Sequence, residues 1–322
     1  MPHFALFRAF SIAIALPGAS LAAAADMSIS GGQPGGLYYP VAGALCSLVN
    51  EHAADHQLNC TVGYSAGSIA NIQALRDGEA DLAIVQSDTQ SEAMTGSGAF
   101  ASVGPFPGLR SVAALFVEDM AIASRKDKGI VGLDDLRGKR VSLGAPGSGG
   151  RAMMERLMEA AGWSARDVTD VPEGGYAAPN LAEALCDGEL DAFVTTVGHP
   201  SPLITDAVSM CDVTLVPLAG PAVNGLVASN DFYAASVIPA GTYSGIGKDV
   251  PAIAVVATLV TIADVPPHDV YAVTRAFVEG YDRLRERSPL FGALSVEELA
   301  SLGLSAPLHE GAARYYSEAR NP

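Results

Sequence analysis

The chain has 322 residues, of which 49% are hydrophobic and 17% are charged, and its formal net charge is −16. This composition is typical of a folded protein and excludes a mostly disordered chain. The excess of acidic residues excludes a nucleic-acid binder or a polybasic membrane-surface protein, because both need a cationic face. The length favours two domains or lobes, although one large α/β domain is the alternative.

The first 25 residues indicate a secretory signal peptide. Arg8 precedes an apolar stretch over residues 9–16, and small residues lead to a cleavage site after Ala25. A cut one or two residues earlier fits nearly as well, and a retained membrane anchor is the alternative. Apolar runs farther along the chain are too short to span a bilayer. We therefore expect a periplasmic protein without stable membrane insertion.

Four cysteines follow the predicted signal peptide, in a compartment where disulfides form: Cys46, Cys60, Cys186 and Cys211. Three connectivities are possible. The favoured one joins the first two cysteines and the last two, because each pair closes a short loop within one half of the chain. Four unpaired buried thiols are the alternative. The sequence contains no C-x-x-C motif, and we expect neither a metal nor a cofactor.

A glycine-rich loop spans residues 31–40, after a predicted strand and at the start of a predicted helix. Glycine lets a backbone approach a ligand closely, and the free amides at a helix N-terminus attract anions. The loop therefore suits a small carboxylate. Tyr38 and Tyr39 begin the helix, where one of them is expected to reach the ligand. A tight turn followed by a purely structural tyrosine pair is the alternative.

The sequence Gly-Tyr-Ser-Ala-Gly around Ser65 matches the nucleophile elbow of α/β-hydrolases, with a strand before it and a helix after it. Asp264 and His309 follow in the Ser, Asp, His order, which keeps a secreted serine hydrolase as an alternative. Ser65 nevertheless comes earlier in the chain than an elbow normally does. We favour a binding role, in which Ser65, Gly67 and Ser68 form a polar helix N-terminus that donates to a ligand. No catalytic residue is assigned.

The clearest organisational feature is a repeat, in which residues 74–81, Ala-Leu-Arg-Asp-Gly-Glu-Ala-Asp, recur at residues 184–191 as Ala-Leu-Cys-Asp-Gly-Glu-Leu-Asp. In each copy a helix is predicted to end at Asp-Gly, where glycine takes the left-handed conformation, and a buried strand follows. Polar residues end the two strands: Gln86, Ser87 and Asp88 in the first copy, and Thr195, Thr196 and Gly198 in the second. Coincidence is the alternative, since Asp-Gly is a common helix stop.

A second glycine-rich loop, residues 144–150, occupies the equivalent place in the second half. Neither loop fits a P-loop or a G-x-G-x-x-G motif. The two halves thus share one parallel α/β plan, and such sheets bind ligands at the carboxyl ends of their strands. Both glycine loops and both polar strand ends are therefore expected to face one cleft.

Outside the repeated units, residues 111–124 predict a strand pair that carries the chain into the second lobe. The closing part is predicted to contain a helix at 221–228, a strand at 252–262, and two helices at 269–287 and 295–302. The chain is expected to return to the first lobe within residues 217–250. We predict lobe 1 as residues 26–122 plus 225–322 and lobe 2 as residues 123–224.

Two further side chains are candidates for the cleft. His199 follows the second repeated strand and is a candidate ligand donor, with an ordinary loop histidine as the alternative. Arg151 lies near the start of the helix after the second glycine loop, where it either pairs with an anion or is simply exposed. His52 and His56 have helical spacing but lack the glutamate of a zinc-binding helix, so they indicate a solvated face.

Several segments carry a family resemblance: residues 35–40, 65–71, 78–88, 136–149 and 238–243. The strand end Gln86-Ser87-Asp88 and the loop Gly-Ala-Pro-Gly-Ser-Gly at residues 144–149 are specific in combination. In these segments the chain resembles the TAXI group of TRAP-transporter solute-binding proteins. The resemblance runs in order across nearly the whole chain beyond the predicted signal peptide.

The resemblance implies a type II periplasmic-binding-protein fold, with two α/β lobes around a hinged cleft. It also implies a small carboxylate or amino-acid ligand, such as glutamate, glutamine or 2-oxoglutarate, that is delivered without covalent chemistry to a TRAP-type sodium-coupled permease. An ABC-type or sensory receptor of the same fold is the alternative. Position by position, the implied ligand contacts are Gly36, Tyr38, Ser65, Gly67, Ser68, Gln86, Ser87, Pro146, Gly147 and Ser148.

The chain departs from the family pattern at two places near the expected cleft. Residues 32–34 are Gly-Gln-Pro where the family tends to have a Gly/Thr run, and His199 stands where it has a small or aliphatic residue. Both departures bear on which ligand is bound rather than on family membership.

Overall fold

The computed structural model describes residues 25–33, 36–171, 180–292 and 294–320. Except for Ala25, the predicted signal peptide lies outside the described residues, as do residues 34–35 of the first glycine loop. The signal peptide therefore stays a prediction. None of the helices in the described ranges has the length and apolar character needed to cross a bilayer.

Strands and helices alternate through both halves of the chain. The strands are β1 (Ala25–Ser30), β2 (Leu58–Gly63), β3 (Leu82–Gln86), β4 (Leu109–Arg125), β5 (Arg140–Ser142), β6 (Thr169–Asp170), β7 (Ala192–Val197), β8 (Val213–Leu215), β9 (Ala234–Ile238) and β10 (Val250–Ile262). The helices are α1 (Tyr38–Glu51), α2 (Ala53–His56), α3 (Ser68–Asp77), α4 (Ser87–Thr95), α5 (Gly149–Ala160), α6 (Leu181–Cys186), α7 (Pro202–Met210), α8 (Pro221–Ala228), α9 (Pro267–Arg287), α10 (Val296–Leu299) and α11 (Glu310–Arg320).

The strands of the described residues form one sheet in the order β2-β1-β3-β10-β4-β7-β5-β6, with β8 paired to β4 and β9 paired to β10. β1 is parallel to β2 and β3, and β5 is parallel to β6 and β7. Between these units lie β10 and β4, which are antiparallel to each other and to their outer neighbours. The two halves therefore repeat one parallel α/β unit, as the sequence predicts, and the antiparallel pair between them was not predicted.

The antiparallel pair β4 and β10 connects two hydrophobic cores. Phe116 and Ala257 pack in the core of lobe 1, whereas Met120 and Val255 pack in the core of lobe 2. The prediction of a strand pair over residues 111–124 is wrong, because this segment is one strand of 17 residues. The segment stays extended because its two ends are buried in different lobes.

The position where the chain returns to lobe 1 follows from the same packing. Ile238, Val250 and Phe193 share one core cluster in lobe 2. We propose that the return lies within β10, between Val255 and Ala257, which is later than the boundary at residue 225 that the sequence predicts. The predicted division into residues 26–122 plus 225–322 and residues 123–224 stays a prediction.

The repeated Asp-Gly segments adopt the conformation that the sequence predicts. Gly78 has φ of 71° and follows α3, and Gly188 has φ of 78° and follows the last turn of α6. Only glycine takes this left-handed conformation readily, so each helix ends there. The strands β3 and β7 start a few residues later and run toward the same region between the lobes.

The closing helices agree with the predictions in part. The helix predicted at residues 221–228 is α8, and α9 contains the helix predicted at residues 269–287. The helix predicted at residues 295–302 is only the four-residue α10. The terminal helix α11 was not predicted, although it buries Ala312, Tyr315 and Tyr316 against the core of lobe 1.

Both favoured disulfides are confirmed. The sulfur atoms of Cys46 and Cys60 are 1.98 Å apart and join α1 to β2, while those of Cys186 and Cys211 are 2.05 Å apart and join the ends of α6 and α7. The alternative of unpaired thiols is wrong. Each bond lies inside one lobe, so neither bond fixes the lobes relative to each other.

Removing either disulfide by paired Cys→Ser substitutions is expected to lower the free energy of unfolding by about 3 kcal/mol. The physical reason is chain entropy, since the bonds span 14 and 25 residues of the unfolded chain. Urea titration followed by circular dichroism measures the change. Wild-type protein kept in a reductant is the control and should match the variant that lacks both bonds. A loss below about 1 kcal/mol would contradict the expectation.

Candidate functional site

A cavity of about 160 Å³ lies between the lobes, where strand ends and helix N-termini meet. The repeated strands both end there, β3 at Gln86 and β7 at Thr195, Thr196 and Val197. Other polar or small lining residues include Tyr38, Ser68, Glu118, Ser148, Gly149, Gly150, Arg151 and Ser201. The cleft that the two halves predict is therefore present, and each lobe contributes to it.

The N-terminus of α5 supplies hydrogen-bond donors to this cavity. The Ser148 hydroxyl caps the helix by accepting from the amide of Arg151 at 3.2 Å. The first amides of a helix have no partner inside the helix. For the amides of Gly149 and Gly150, the described part of the chain offers no acceptor. Because both glycines line the cavity, their amides and the positive end of the helix dipole suit an anionic group.

The N-terminus of α3 makes a different contact, which joins the lobes. The amides of Ile69 and Ala70 in lobe 1 donate to the carbonyl oxygen of Gly147 in lobe 2, at 3.1 and 3.3 Å. The hydroxyl of Ser68 accepts from the amide of Gln86 at 3.1 Å. Two donors of the α3 N-terminus are therefore satisfied across the cleft by the second glycine loop.

An acidic side chain at the floor of the cavity was missed by the sequence predictions. Glu118 lies in β4 and is only 1% exposed, and its Oε2 accepts from the Tyr38 hydroxyl at 2.7 Å and from the Gln86 amide nitrogen at 3.4 Å. Burial raises the pKa of Glu118 to about 8. The signal that could have found this residue is a glutamate inside an apolar segment of strand length.

Arg151 is the one basic side chain among the described residues that line the cavity. Its Nη2 donates to Asp170 at 2.7 Å and its Nε donates to Glu155 at 2.9 Å. The guanidinium group is therefore paired with two acids of lobe 2. An anion in this cavity would be held by amides and hydroxyls rather than by an unpaired cation.

The predicted ligand contacts divide into two groups. Six of them line the cavity: Gly36, Tyr38, Gly67, Ser68, Gln86 and Ser148. Five lie outside the lining: Ser65, Ser87, Pro146, Gly147 and His199. That the first six contact a ligand stays a prediction.

Ser65 has a structural role in the loop before α3. Its hydroxyl donates to the carbonyl oxygen of Gly31 at 3.3 Å and accepts from the amide of Gly67 at 3.0 Å. His309 is buried elsewhere, where its ring nitrogens contact the carbonyl oxygen of Val265 at 3.0 Å and the amide of Gly311 at 3.2 Å. The nucleophile elbow thus lacks its histidine, and the serine hydrolase alternative has no support in this arrangement.

Ser87, Pro146 and Gly147 act beside the cavity rather than in it. The hydroxyl of Ser87 is fully buried and accepts from the amide of Val256 at 3.3 Å, which ties α4 to β10. Pro146 is exposed. Gly147 holds the lobes together through its carbonyl oxygen. Ser87 and Gly147 therefore make structural contacts beside the cavity.

His199 is held in place by two partners outside the cavity. The hydroxyl of Tyr243 accepts from the amide of Ser201 at 2.7 Å, so its proton is free to be donated to His199 Nδ1 at 2.5 Å. The Nε2 of His199 then donates to the carbonyl oxygen of Asp119 at 3.4 Å. Burial lowers the pKa of His199, which keeps the ring neutral. The structural alternative for this histidine fits its contacts better than the ligand-donor prediction.

Three charged side chains and one tyrosine link the lobes beside the cavity, and we call them the interlobe ion cluster: Asp88, Glu92, Arg156 and Tyr233. Arg156 of α5 pairs with Asp88 of α4 at 2.9 Å and also pairs with Glu92. The hydroxyl of Tyr233 donates to Asp88 at 2.7 Å. Asp88 is only 3% exposed, so this contact between lobes is formed largely out of water.

Within the described ranges, no group of three or more His, Cys, Asp or Glu side chains is arranged to hold a metal ion. The expectation that the protein needs no metal and no cofactor stays a prediction. The chemistry visible in the cavity is hydrogen bonding by amides and hydroxyls, together with one buried carboxyl group.

Comparison with known proteins gives one family match and several solved structures of similar fold. Residues 29–319 match the sequence profile of the NMT1-like family. MatC of Rhodopseudomonas palustris, solved with bound malate, is 18% identical, with a TM-score of 0.56 over 91% of this chain and 95% of that chain. A protein of Bordetella bronchiseptica RB50 is 18% identical, with a TM-score of 0.57 over 92% of this chain and 98% of that chain.

A candidate L-cystine ABC transporter from Listeria monocytogenes is similar at 14% identity, with a TM-score of 0.51 over 84% of this chain and 97% of that chain. At such identities the likeness concerns the fold. The predicted periplasmic-binding-protein fold, with two α/β lobes around a cleft, is confirmed.

Proposed function

We propose that this chain, which belongs to the NMT1-like family, is an extracytoplasmic receptor that captures a small anionic solute between its two lobes. The observation that carries the proposal is the lobe-to-lobe cavity itself, which Gly149 and Gly150 line at the N-terminus of α5. Their unpaired amides and the helix dipole favour a negative group, and no covalent chemistry is needed.

A carboxylate is the anion that we propose. Arg151 is already paired with Asp170 and Glu155, so the site offers directional neutral donors rather than a free cation. Carboxylate oxygens accept such donors well, and the bond is strengthened when the lobes exclude water. MatC, which shares the fold, was solved with malate, a dicarboxylate. The carboxylates implied by the TAXI resemblance, glutamate, glutamine and 2-oxoglutarate, are the first to test.

Capture follows from the way the lobes are joined. The continuous strands β4 and β10 connect the lobes. The carbonyl oxygen of Gly147 and the interlobe ion cluster make further bonds from one lobe to the other beside the cleft. A solute that binds amides of lobe 2 and side chains of lobe 1 therefore favours the arrangement in which the lobes are in contact. We propose a periplasmic location, which the sequence-predicted signal peptide and the two disulfides support.

The partner that we propose is a TRAP-type sodium-coupled permease, on the strength of the TAXI resemblance. An ABC permease is the second candidate, and the similarity to the candidate L-cystine ABC transporter favours it. Uptake into spheroplasts that depend on the added receptor separates the two. Uptake abolished by collapsing the sodium gradient supports TRAP, whereas uptake that continues without sodium and requires ATP supports ABC.

A small carboxylate is expected to stabilise the purified protein against heat. At a concentration of 100 times Kd the stabilisation is about 2.7 kcal/mol, which corresponds to roughly 5 °C or more in Tm for a chain of this size. A thermal-shift screen of small carboxylates, with sugars and the matching primary amides as controls, measures it. If no carboxylate raises Tm while a sugar or an amide does, the carboxylate proposal is wrong. No ligand in the screen should be consumed.

A further inference from the structure

Glu118 lines the cavity at the point where β4 passes from one lobe to the other. It lies in β4 between Phe116, which packs in the core of lobe 1, and Met120, which packs in the core of lobe 2. Its side chain is 1% exposed and lines the cavity. Any solute that enters the cleft fully therefore reaches this carboxyl group.

The contacts of Glu118 lack a positive charge. Its described partners are the neutral Tyr38 hydroxyl and the neutral Gln86 amide, and both donate to Oε2. The charged groups that face it from neighbouring positions are Asp88 of α4 and Asp119 of β4, both acids. An ionised carboxylate in this setting is costly without a cation. Among the described residues, no basic side chain supplies one.

Two buried oxygen atoms of residues that line the same cavity have no hydrogen-bond partner. Gln86 is 3% exposed, and because its nitrogen donates to Glu118 its Oε1 remains without a partner. The hydroxyl oxygen of Thr196, which also lines the cavity, is buried without a partner as well. A carboxylate, an amide oxygen and a hydroxyl oxygen suit a group that carries several N–H donors and a positive charge.

We infer that Glu118 binds a protonated amino group of the solute, with Gln86 Oε1 as a second acceptor. This inference rests on the proposed function, in which amides of α5 hold the solute's carboxylate. The solute is then a zwitterion, such as an amino acid, rather than the hydroxy or keto acid of the same skeleton. Glu118 thereby determines specificity, since it provides the missing partner for an ammonium group and rejects a second anion.

Isothermal titration with matched pairs of solutes tests the inference: glutamate against 2-oxoglutarate, and aspartate against malate. In whichever pair binds, the amino acid is expected to bind roughly 10- to 100-fold more tightly than the matching keto or hydroxy acid, because its ammonium group forms a charge-assisted hydrogen bond. Glu118→Gln is expected to remove this preference while the carboxylate of the solute is still bound. Glu159→Gln, an exposed glutamate at the end of α5, is the control and should retain it.

The pH dependence gives a second readout with a definite sign. The raised pKa of Glu118 means that its carboxyl group is protonated below about pH 8 and must release the proton when an ammonium group binds. Affinity for the amino acid is therefore expected to rise up to about tenfold per pH unit between pH 6 and pH 8. Burial raises the pKa of Tyr38 further, so this phenol stays protonated throughout. The slope should vanish in Glu118→Gln.

The outcomes are distinguishable. If both members of a pair bind alike, or if Glu118→Gln keeps the preference for the amino acid, this inference is overturned and the proposed function stands. If affinity falls as pH rises, then protonated Glu118 donates to a solute carboxylate, and the inference is again overturned. If no member of any pair binds, the carboxylate proposal fails and the inference fails with it.

Discussion

Gly67→Ala is expected to abolish solute-induced stabilisation, with a loss of binding of at least 100-fold. Gly67 is the N-cap of α3 and has φ of 126° and ψ of −157°, a conformation that only glycine adopts readily. A Cβ atom at this position would lie 3.1 Å from the Cα atom of Ser148 in the other lobe. The added methyl group would therefore push the loop before α3 away from the second glycine loop and weaken the hydrogen bonds from Ile69 and Ala70 to Gly147.

The chain offers a matched control in Gly220→Ala. Gly220 is the N-cap of α8, with φ of 107° and ψ of −179°, and a Cβ atom there would meet nothing within 4 Å. Both variants should lose about 1–3 kcal/mol of stability through backbone strain. Only Gly67→Ala should also fail to bind the solute in calorimetric titration. Equal binding by the two variants would show that close contact between Gly67 and the second glycine loop is not needed for capture.

Arg156→Met is expected to lower the free energy of unfolding by about 3–5 kcal/mol, the cost of breaking a buried ion pair on one side. The substitution leaves Asp88 and Glu92 in lobe 1 without their cation from lobe 2. Asp88 is almost fully buried, and burial already raises the pKa of Glu92 even with Arg156 present. Urea titration near neutral pH measures the loss.

Two further variants control this experiment. Arg275→Met removes an exposed pair with Glu279, whose side chains are 56% and 49% exposed, and should cost at most about 0.5 kcal/mol. Adding Asp88→Asn and Glu92→Gln to Arg156→Met should recover part of the loss, because no unpaired acid remains. If Arg156→Met costs no more than Arg275→Met, the interlobe ion cluster does not stabilise the joined lobes.

The sequence predicts much of the fold because its signals there are local. The Asp-Gly stops need only the conformational freedom of Gly78 and Gly188, and the helix at residues 221–228 begins where Gly220 is followed by Pro221. The segment predicted as a strand pair is the single strand β4, which continues through the two acids Glu118 and Asp119. What keeps this strand straight is burial of Phe116 and Met120 in two separate cores, and that follows only from tertiary packing.

The site divides in the same way. Glycine loops and polar strand ends are recognisable in short segments of sequence, and they predict that Gln86 and Ser148 lie at the cavity. Glu118 depends on a partner eighty residues away in sequence, since Tyr38 of α1 donates to it, and no local pattern indicates that bond. His199 likewise has a partner that its local sequence does not indicate, because its ring bonds to the distant Tyr243, and its ligand role stays a prediction.

The course of β4 and β10 also has a mechanical consequence. Both strands pass between the lobes side by side and are hydrogen-bonded to each other. Any opening of the cleft would therefore bend a pair of β-strands rather than a flexible linker. If these strands bend where they pass from one core to the other, Glu118, which lies between Phe116 and Met120, is close to the axis of bending. A solute bond to Glu118 would then add affinity but exert little torque on the lobes, whereas solute contacts at the N-terminus of α5 would pull on lobe 2 itself.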